Sequence, residues 1–275
     1  MRIYVYKNIP DIEGGKENTL KRFLSKFPES VVKSNLDDLR KTDLLIVFDL
    51  TIEIADTINQ REGLNTCVIV RNTGCRQKYL LDKIKWKTII QTNSYDIYKS
   101  YHRKHKIFYQ LNPLPNIRVT SEDRDIDFIF VTRMFELYKN CLDISKIIDQ
   151  FPKGSVIKII GDGPYLNRLK DLCDNAQNTI EFLGVTNHSK VLELYQRSKT
   201  HITVGKVEGF PNTCVEALAS GCRVFLRKYS RRIDPKLSLI PNLTIYNRLN
   251  ELGRTPLYSE TINQFDGFWW ASEDW

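Results

Sequence analysis

The stretch that decides the fold runs from Glu208 to Cys222 and reads EGFPNTCVEALASGC. Its first carboxylate, Glu208, precedes a Gly-Phe-Pro turn, and its second, Glu216, lies in an Ala- and Leu-rich segment that predicts a helix. A loop leading into a helix presents unpaired backbone N–H groups and the positive end of the helix dipole, which suit a phosphate. A carboxylate inside that helix repels a phosphate but accepts hydrogen bonds from two neighbouring hydroxyls, such as those of a ribose. The stretch therefore predicts a site for a nucleoside diphosphate.

The same stretch resembles a known family signature. EGFPN followed by EALA and a glycine is similar to the E-x7-E signature of retaining glycosyltransferases of family 4, in the wording of members that build bacterial and viral surface glycans. That family has the GT-B fold, so the resemblance implies an α/β protein of two Rossmann-like domains whose parallel sheets face a cleft, here with a reduced N-terminal domain. A surface turn leading into an ordinary amphipathic helix is the alternative interpretation.

Composition predicts a soluble protein of two modest domains. The chain has 275 residues, 41% hydrophobic and 27% charged, and no run approaches the ~20 apolar residues of a membrane helix. The N-terminus lacks the pattern of a signal peptide. The six cysteines form no C-x-x-C pair and complete no zinc site. We therefore expect reduced thiols, no metal, and a cytoplasmic location, either soluble or peripheral at a membrane. The resemblance implies that the host cytosol is that of a bacterium or of a viral host.

An excess of basic residues favours anionic partners. Lys and Arg number 41 against 33 Asp and Glu, a net charge of +8, which suits a nucleotide, a phosphorylated lipid carrier, an acidic membrane or a nucleic acid. The basic run at residues 99–106 is most simply a solvated face, and alternatively contacts a phosphorylated acceptor or an acidic membrane surface. Outside residues 99–106 and 227–232 the charges are dispersed, so we expect no specific nucleic-acid partner.

Apolar runs alternate with helical patterns along the chain. Continuous apolar runs predict strands covered on both faces, as in parallel sheets, and the alternation predicts α/β architecture. The predicted strands are 3–6, 44–48, 67–70, 88–90, 128–131, 156–160, 180–183, 201–204, 223–226 and 243–246, and the predicted helices include 16–27, 141–149, 165–175 and 189–197.

Two prolines within Asn112–Asn116 predict a linker between domains. We expect an acceptor-side domain at residues 1–115 and a nucleotide-sugar-binding domain at residues 116–255. The aromatic-rich segment at residues 256–275 either crosses back to the first domain, as the resemblance implies, or packs on its own domain.

Two further segments resemble the family's phosphate-binding parts. Val131–Asn140 is similar to a loop whose Arg and Lys neutralise the donor diphosphate, which implies catalytic roles for Arg133 and Lys139. Fixed cations stabilise the charge that grows on a nucleoside diphosphate leaving group, and an Arg does so bidentately. Thr132 stands where the family usually has glycine, and the two cations are one residue further apart. After the first strand, Gly14-Gly15 corresponds to a glycine-rich loop that meets the donor phosphate or the acceptor.

Two glycine turns resemble the family's base-binding part. Gly161 and Gly163 follow a strand in a turn similar to the G-x-GP turn near the nucleotide base, and glycine permits a tight bend and close approach of the backbone to a ligand. The segment 180–194 is similar to the family's FLG strand and following helix, whose backbone pairs with the base. Gly184 and Val185 therefore join the predicted site.

The resemblance implies a retaining, metal-independent glycosyltransferase. It would move a sugar from a nucleotide sugar, UDP- or GDP-linked, to a glycan, lipid-linked or protein-linked acceptor, with no cofactor. It places Glu208 beside the transferred sugar and Glu216 on the ribose. The turn between these two carboxylates, which binds the donor, consists of Gly209, Phe210, Pro211, Asn212 and Thr213. Retention without an enzymatic nucleophile implies same-face attack, with the leaving phosphate taking the acceptor's proton.

Departures from the family pattern favour an alternative, a catalytically weak GT-B-like protein that binds a nucleotide sugar or serves as a scaffold. Many members have a His at the end of a middle strand, but the strand at 67–70 ends in Arg71–Gly74. None of the four histidines is placed to substitute, and His201, at the start of a strand, is expected to be structural. Arg223 stands where the family continues with proline. A sugar-nucleotide epimerase is a further alternative, against which the EGFPN-type motif argues.

Overall fold

The computed structural model describes residues 2–6, 20, 23–33, 36–48, 50–70, 75–111, 117, 123–206, 210–228 and 233–254. Contacts divide the chain into two compact units, residues 1–111 (unit 1) and 112–275 (unit 2). The division falls at the start of the predicted linker. Both the linker residues 112–116 and the segment 255–275 lie outside the described residues.

Unit 1 contains a parallel sheet in the order β2-β1-β3-β4-β5-β6. The strands are β1 (Ile3–Tyr6), β2 (Val31–Lys33), β3 (Leu44–Val47), β4 (Asn65–Val70), β5 (Ile89–Thr92) and β6 (Lys106–Tyr109). The helices between them are α1 (Ile52–Gln60), α2 (Cys75–Lys83) and α3 (Tyr95–Tyr101), and residues 23–26 are also helical.

Both faces of this sheet are covered by apolar cores. In β1, Tyr4 and Tyr6 lie in one core and Val5 lies in another, and in β3 the same alternation separates Leu45 from Ile46. Because successive side chains of a strand point to opposite faces, the two cores cover the two faces of the sheet. The continuous apolar runs predicted this arrangement.

Unit 2 contains a second parallel sheet, in the order β12-β11-β10-β7-β8-β9. The strands are β7 (Ile126–Val131), β8 (Val156–Ile160), β9 (Thr179–Gly184), β10 (Ser198–Ile202), β11 (Arg223–Arg227) and β12 (Leu243–Tyr246). The helices are α4 (Glu136–Lys139), α5 (Asp143–Ile148), α6 (Leu166–Cys173), α7 (His188–Gln196) and α8 (Asn212–Ala219), with 3-10 turns at Pro235–Leu239 and Leu249–Arg254. This strand order is that of a Rossmann fold.

The predicted strands are present, some with shifted ends. β1, β8 and β12 begin and end as predicted, whereas the strand predicted at 201–204 is β10, Ser198–Ile202, so His201 lies inside it. The predictions omitted β2 and β6, the two edge strands of unit 1, and helices α1 to α3. Neither strand is a continuous buried run, because Val31 and Val32 in β2 and Lys106 and Phe108 in β6 are exposed. Most of the predicted helix 16–27 lies outside the described residues.

The basic run at residues 99–106 is not uniformly a solvated face. Its cations are exposed, but His105 is buried, and its Nδ1 accepts a hydrogen bond from the backbone N–H of Thr88 at 3.3 Å. Burial, with a smaller contribution from Lys104, lowers the pKa of His105 to about 4. His105 is therefore a neutral core side chain.

The cysteine side chains that the structure describes are reduced and form no disulfide: Cys67, Cys141, Cys173, Cys214 and Cys222. Burial raises the pKa of the Cys222 thiol to about 12, so it stays protonated at neutral pH. Within the described ranges, no helix combines the length and apolar character needed to cross a bilayer.

Candidate functional site

The strand order of unit 2 brings two loops side by side. From β7 the chain moves outward through β8 and β9, then crosses back to β10 on the other side of β7. Ligands of such sheets bind at the carboxyl ends of the strands, where the order reverses. The described loop residues at this point are 132–135 after β7, and 203–206 with 210–211 after β10; both loops belong to segments in which the sequence predicts phosphate-binding groups. Glu208 and Gly209, like Gly14 and Gly15, lie outside the described residues.

The loop after β7 presents a cation to solvent. Arg133 is exposed, and its guanidinium makes no hydrogen bond or ion pair with any residue that the structure describes. Lys139, partly exposed, ends α4, and Asn140 follows in the left-handed conformation at φ 49° and ψ 41°. Asparagine tolerates this conformation better than most residues other than glycine, which accounts for Asn140 at the end of the helix.

The glycine turn after β8 packs directly on the loop after β7. Gly161 has φ +128°, and a Cβ on it would lie 1.8 Å from the carbonyl oxygen of Thr132. Gly163 has φ +151°, and its Cβ would lie 2.7 Å from the carbonyl oxygen of Met134. The predicted close approach is therefore present, but the group approached is a neighbouring backbone, so the expected approach to a ligand is not what makes these glycines necessary.

Backbone hydrogen bonds lock three loops together. The N–H of Met134 donates to the carbonyl of Asp162 at 2.9 Å, and the N–H of Gly161 donates to the carbonyl of Gly184 at 2.8 Å. Gly184 ends β9 with φ +60°, and the next side chain, Val185, is 83% exposed. The structure thus brings the predicted residues of these turns together as one rigid edge with an apolar side chain at its surface.

The helix after β10 begins without a side-chain cap. Pro211 takes the cap position of α8 with an extended ψ of 142°, and no side chain accepts a hydrogen bond there. Its carbonyl accepts from Cys214 at 3.1 Å, whereas the N–H groups of Asn212 and Thr213 have no acceptor among the described residues. Phe210, 1% exposed, anchors this turn. As far as the described residues go, the start of α8 therefore offers two unpaired donors, as expected of an anion site.

Glu216 lies in the second turn of α8 and is paired with a residue that the sequence did not indicate. Its side chain is 13% exposed, and its Oε1 lies 3.0 Å from Nε2 of His188, the first residue of α7. A carboxylate can only accept, so the His188 Nε2–H donates. Because the two residues are 28 positions apart in the sequence, no local pattern indicates their contact.

A second unpredicted pair, Arg227 with Asp143, connects the segments that meet where the strand order reverses. Nη1 of Arg227, at the end of β11, lies 2.6 Å from Oδ2 of Asp143, and the two side chains are 7% and 10% exposed. The same Nη1 donates to the carbonyl of Val204, after β10, at 3.0 Å. Asp143 begins α5, so this contact joins the segment after β7 to the loop after β10. Burial alone would raise the pKa of Asp143, but Arg227 and Lys146 hold it below its usual value.

His201 is structural, as expected. It is fully buried in β10, and its Nδ1 lies 3.1 Å from the carbonyl oxygen of Ile129. Burial lowers its pKa to about 4. Among the described residues, no group of three or more His, Cys, Asp or Glu side chains is arranged to hold a metal ion.

Comparison with known proteins finds a family match over the part of the chain that contains the candidate site. Residues 116–231 match the family model "Glycosyl transferases group 1". A search of the curated proteins found no significant match.

Solved structures of glycosyltransferases resemble the whole fold. The Anabaena protein HepE, in complex with UDP-glucose, is 14% identical with a TM-score of 0.65 over 92% of this chain and 88% of HepE. The lipopolysaccharide outer core galactosyltransferase WaaB is 13% identical with a TM-score of 0.59 over 92% and 88%. The pneumococcal O-GlcNAc transferase GtfA, in complex with UDP and GlcNAc, is 16% identical with a TM-score of 0.56 over 89% of this chain.

The chain spans about half the length of GtfA, 52% of which is covered. At these identities the likeness establishes the architecture. The chain has the GT-B fold of glycosyltransferases, and its second unit carries the segment that matches the group 1 glycosyl transferases.

Proposed function

We propose that this chain is a retaining, metal-independent glycosyltransferase that needs no cofactor. It transfers a sugar from a UDP- or GDP-linked donor to a glycan, lipid-linked or protein-linked acceptor in surface glycan synthesis. The observation that carries the proposal is the pair of loops at the switch point of unit 2. One loop holds an exposed guanidinium without a described partner, and the other leads into a helix without a cap. The UDP in the GtfA and HepE structures favours a uridine donor.

The donor diphosphate is held by fixed positive groups. Arg133 offers a planar fork that matches two phosphate oxygens. The N–H groups of Asn212 and Thr213 and the positive end of the α8 dipole face the same anion, and Lys139 adds a second cation. The N–H groups and the helix dipole are set by backbone packing before the donor arrives, so little energy is spent on ordering them.

The nucleoside occupies the opposite side of the same edge. Glu216 accepts hydrogen bonds from the two ribose hydroxyls, and the backbone around Gly161, Gly163 and Gly184 meets the base. Val185, 83% exposed, supplies an apolar contact for a flat ring. A ring placed on this side chain would remove apolar surface from water, which favours binding.

The chemistry follows from where charge grows. The bond between the anomeric carbon of the sugar and the diphosphate oxygen breaks, and negative charge accumulates on the diphosphate. Arg133, Lys139 and the α8 N-terminus stabilise this charge. Glu208 orients hydroxyls of the transferred sugar. An acceptor hydroxyl attacks on the same face, its oxygen bonds to the anomeric carbon, and its proton passes to the leaving phosphate.

A second candidate is a GT-B scaffold protein that binds a nucleotide sugar without turning it over. The absence of a His in Arg71–Gly74 favours it.

In either case a cytoplasmic location with peripheral contact to an acidic membrane fits the exposed cations of residues 99–106 and Phe108, which is 51% exposed. Cosedimentation with anionic and neutral vesicles tests that contact, and equal binding to both would exclude it.

A donor screen tests the proposal. Thermal shift and sugar release are measured with UDP-, GDP-, ADP- and CMP-sugars on the unaltered chain, on Glu216→Ala and on Glu208→Gln. We expect one nucleotide class to raise the melting temperature, Glu216→Ala to lose the shift, and Glu208→Gln to keep the shift but to lower turnover by about 100-fold or more. Glu193→Gln, an exposed carboxylate of α7 paired with Lys190, is the matched control and should change neither.

Two other outcomes decide against parts of the proposal. A shift without sugar release, equal in the unaltered chain and Glu208→Gln, would favour the scaffold. No shift with any donor in a folded chain would contradict the nucleotide site itself.

A further inference from the structure

We propose that His188 is a positioning residue for the nucleotide ribose: its ring holds the Glu216 carboxylate in the orientation that receives the ribose hydroxyls. This inference rests on the proposed function, because it assigns a role at the same site. It concerns a side chain that touches the carboxylate.

The contact is direct, and only one assignment of donor and acceptor is possible. His188 Nε2 lies 3.0 Å from Glu216 Oε1, and since a carboxylate only accepts, the ring nitrogen must carry the proton. Oε2 of Glu216 makes no hydrogen bond with any described residue. The carboxylate therefore has one oxygen fixed by the protein and one left open, and retains lone pairs on both for a pair of hydroxyls.

Stability alone is a weak reason for this pair. Glu216 is 13% exposed and His188 is 48% exposed. Ion pairs with one side chain in water contribute little to folding, because water can replace the exposed partner. A hydrogen bond that fixes the rotation of a mostly buried acceptor has a larger effect on a ligand that must meet both oxygens at once.

The helices that carry the two side chains are themselves held together. Asn187 caps α7 by accepting from the N–H of Lys190 at 2.8 Å, which sets the start of the helix at His188. At the other end, the guanidinium of Arg124 donates to the carbonyl oxygens of Tyr195 at 3.2 Å and Ser220 at 2.8 Å. One cation thus joins the C-terminal ends of α7 and α8. The ring is therefore presented to the carboxylate from a rigid support.

A thermodynamic cycle on ligand and protein tests the assignment. Affinities for UDP and 2′,3′-dideoxy-UDP are measured by calorimetry on the unaltered chain, His188→Ala and His188→Gln, or for the guanosine pair if GDP binds the unaltered chain more tightly. We expect His188→Ala to weaken UDP about fivefold, equivalent to one net hydrogen bond, and to leave the dideoxy ligand unchanged. His188→Gln, which keeps an N–H donor, should recover most of the loss.

Lys190→Ala is the matched control, since it removes an exposed side chain of the same helix whose partner is Glu193. Equal weakening of both ligands by His188→Ala would show a general structural effect and overturn the proposal. Unchanged UDP affinity would overturn it too, and tighter UDP binding would show that the ring competes with the ribose. If UDP and GDP fail to bind the unaltered chain, or bind Glu216→Ala equally well, the proposed function fails as well.

Discussion

The helices that follow β3 and β5 in unit 1 begin differently from α8, the helix that follows β10 in unit 2. In unit 1, the buried hydroxyl of Thr51 caps α1 by accepting from Ile54 N–H, and the buried hydroxyl of Ser94 caps α3 by accepting from Ile97 N–H at 3.2 Å. In unit 2, Asn187 caps α7 in the same manner, but α8 starts at Pro211 and no described side chain caps it. A donor that is already bonded within the protein cannot bind an anion without breaking that bond. Similar architecture therefore provides a closed edge after β3 and β5 and an open one after β10.

The loops themselves differ in the same sense. After β5, Thr92 and Ser94 bond to neighbouring backbone through short polar side chains, with Thr92 Oγ1 donating to the Val70 carbonyl at 2.7 Å. After β8, glycines place backbone against backbone and leave the surface to Arg133 and Val185. Side-chain caps occupy the backbone donors at these helix starts. The glycine packing instead leaves the surface of the edge unobstructed, as a ligand site requires.

The largest expected effect breaks the open edge itself. Gly161→Ala places a methyl group 1.8 Å from the Thr132 carbonyl oxygen at φ +128°, so we expect unit 2 to lose about 4 kcal/mol of stability or more. Gly63→Ala in unit 1 is the control, because Gly63 also has a positive φ, +80°, but has nothing within 4 Å of its Cβ position. It should cost about 1 kcal/mol.

The stabilities of the two glycine variants are compared by urea unfolding, monitored through hydrogen exchange of peptides from each unit. Similar losses for the two glycine variants would show that backbone conformation alone, and not packing between the loops, sets the requirement at Gly161.

Acid is expected to weaken both units through one buried His each. The pKa of His201 is about 4 in the folded chain against an ordinary 6.5, mainly because of burial. The unfolded chain therefore binds a proton at a pH where the folded chain does not, so stability falls as pH drops from 6.5 to 4 and this contribution then levels off. The shift corresponds to about 3 kcal/mol at His201. His105 has the same sign in unit 1.

Unfolding at pH 7 and pH 4.5 of the unaltered chain, His201→Gln and His105→Gln measures these contributions. Each variant should lose the acid sensitivity of its own unit and keep that of the other. An unchanged pH slope in His201→Gln would show that this ring is not the group that titrates.

The smallest effects exchange the two kinds of helix start. Ser94→Ala removes the cap of α3 and should cost about 1 kcal/mol, with no change in UDP affinity. Pro211→Asp adds a cap to α8, changes stability by less than about 1 kcal/mol, and weakens UDP because a carboxylate then occupies the donors and repels the diphosphate. Calorimetry and urea unfolding measure both. Undiminished UDP affinity in Pro211→Asp would exclude the start of α8 as the phosphate site.

Local pattern was enough for much of the fold. The runs that became β1, β8 and β12 are short and mostly apolar, so their composition reveals them. β6 escaped prediction because Lys106 and Phe108 alternate with partly buried residues and are exposed, so no continuous apolar run marks the strand. His105 was placed on a solvated face because its neighbours are charged, although the fold turns its ring inward.

The residues of the candidate site also fall into two groups: those that a local sequence pattern indicates, and those that only the tertiary structure brings together. Loops that precede helices and follow strands are local features, so Arg133 and the turn before α8 could be recognised from the sequence. His188 with Glu216, and Asp143 with Arg227, are joined across 28 and 84 positions by helix and strand packing. Pairing over such separations is set by the tertiary structure, and no local pattern in one sequence indicates it. The packing partner of Gly161 is likewise visible only in three dimensions.

A structure of the chain with bound UDP tests the central claim most directly. We expect the diphosphate against the Asn212 and Thr213 N–H groups and the Arg133 guanidinium, and the ribose on Glu216 with His188 still bonded to that carboxylate. UDP bound at the capped strand ends of unit 1, or in unit 2 away from α8, would contradict it.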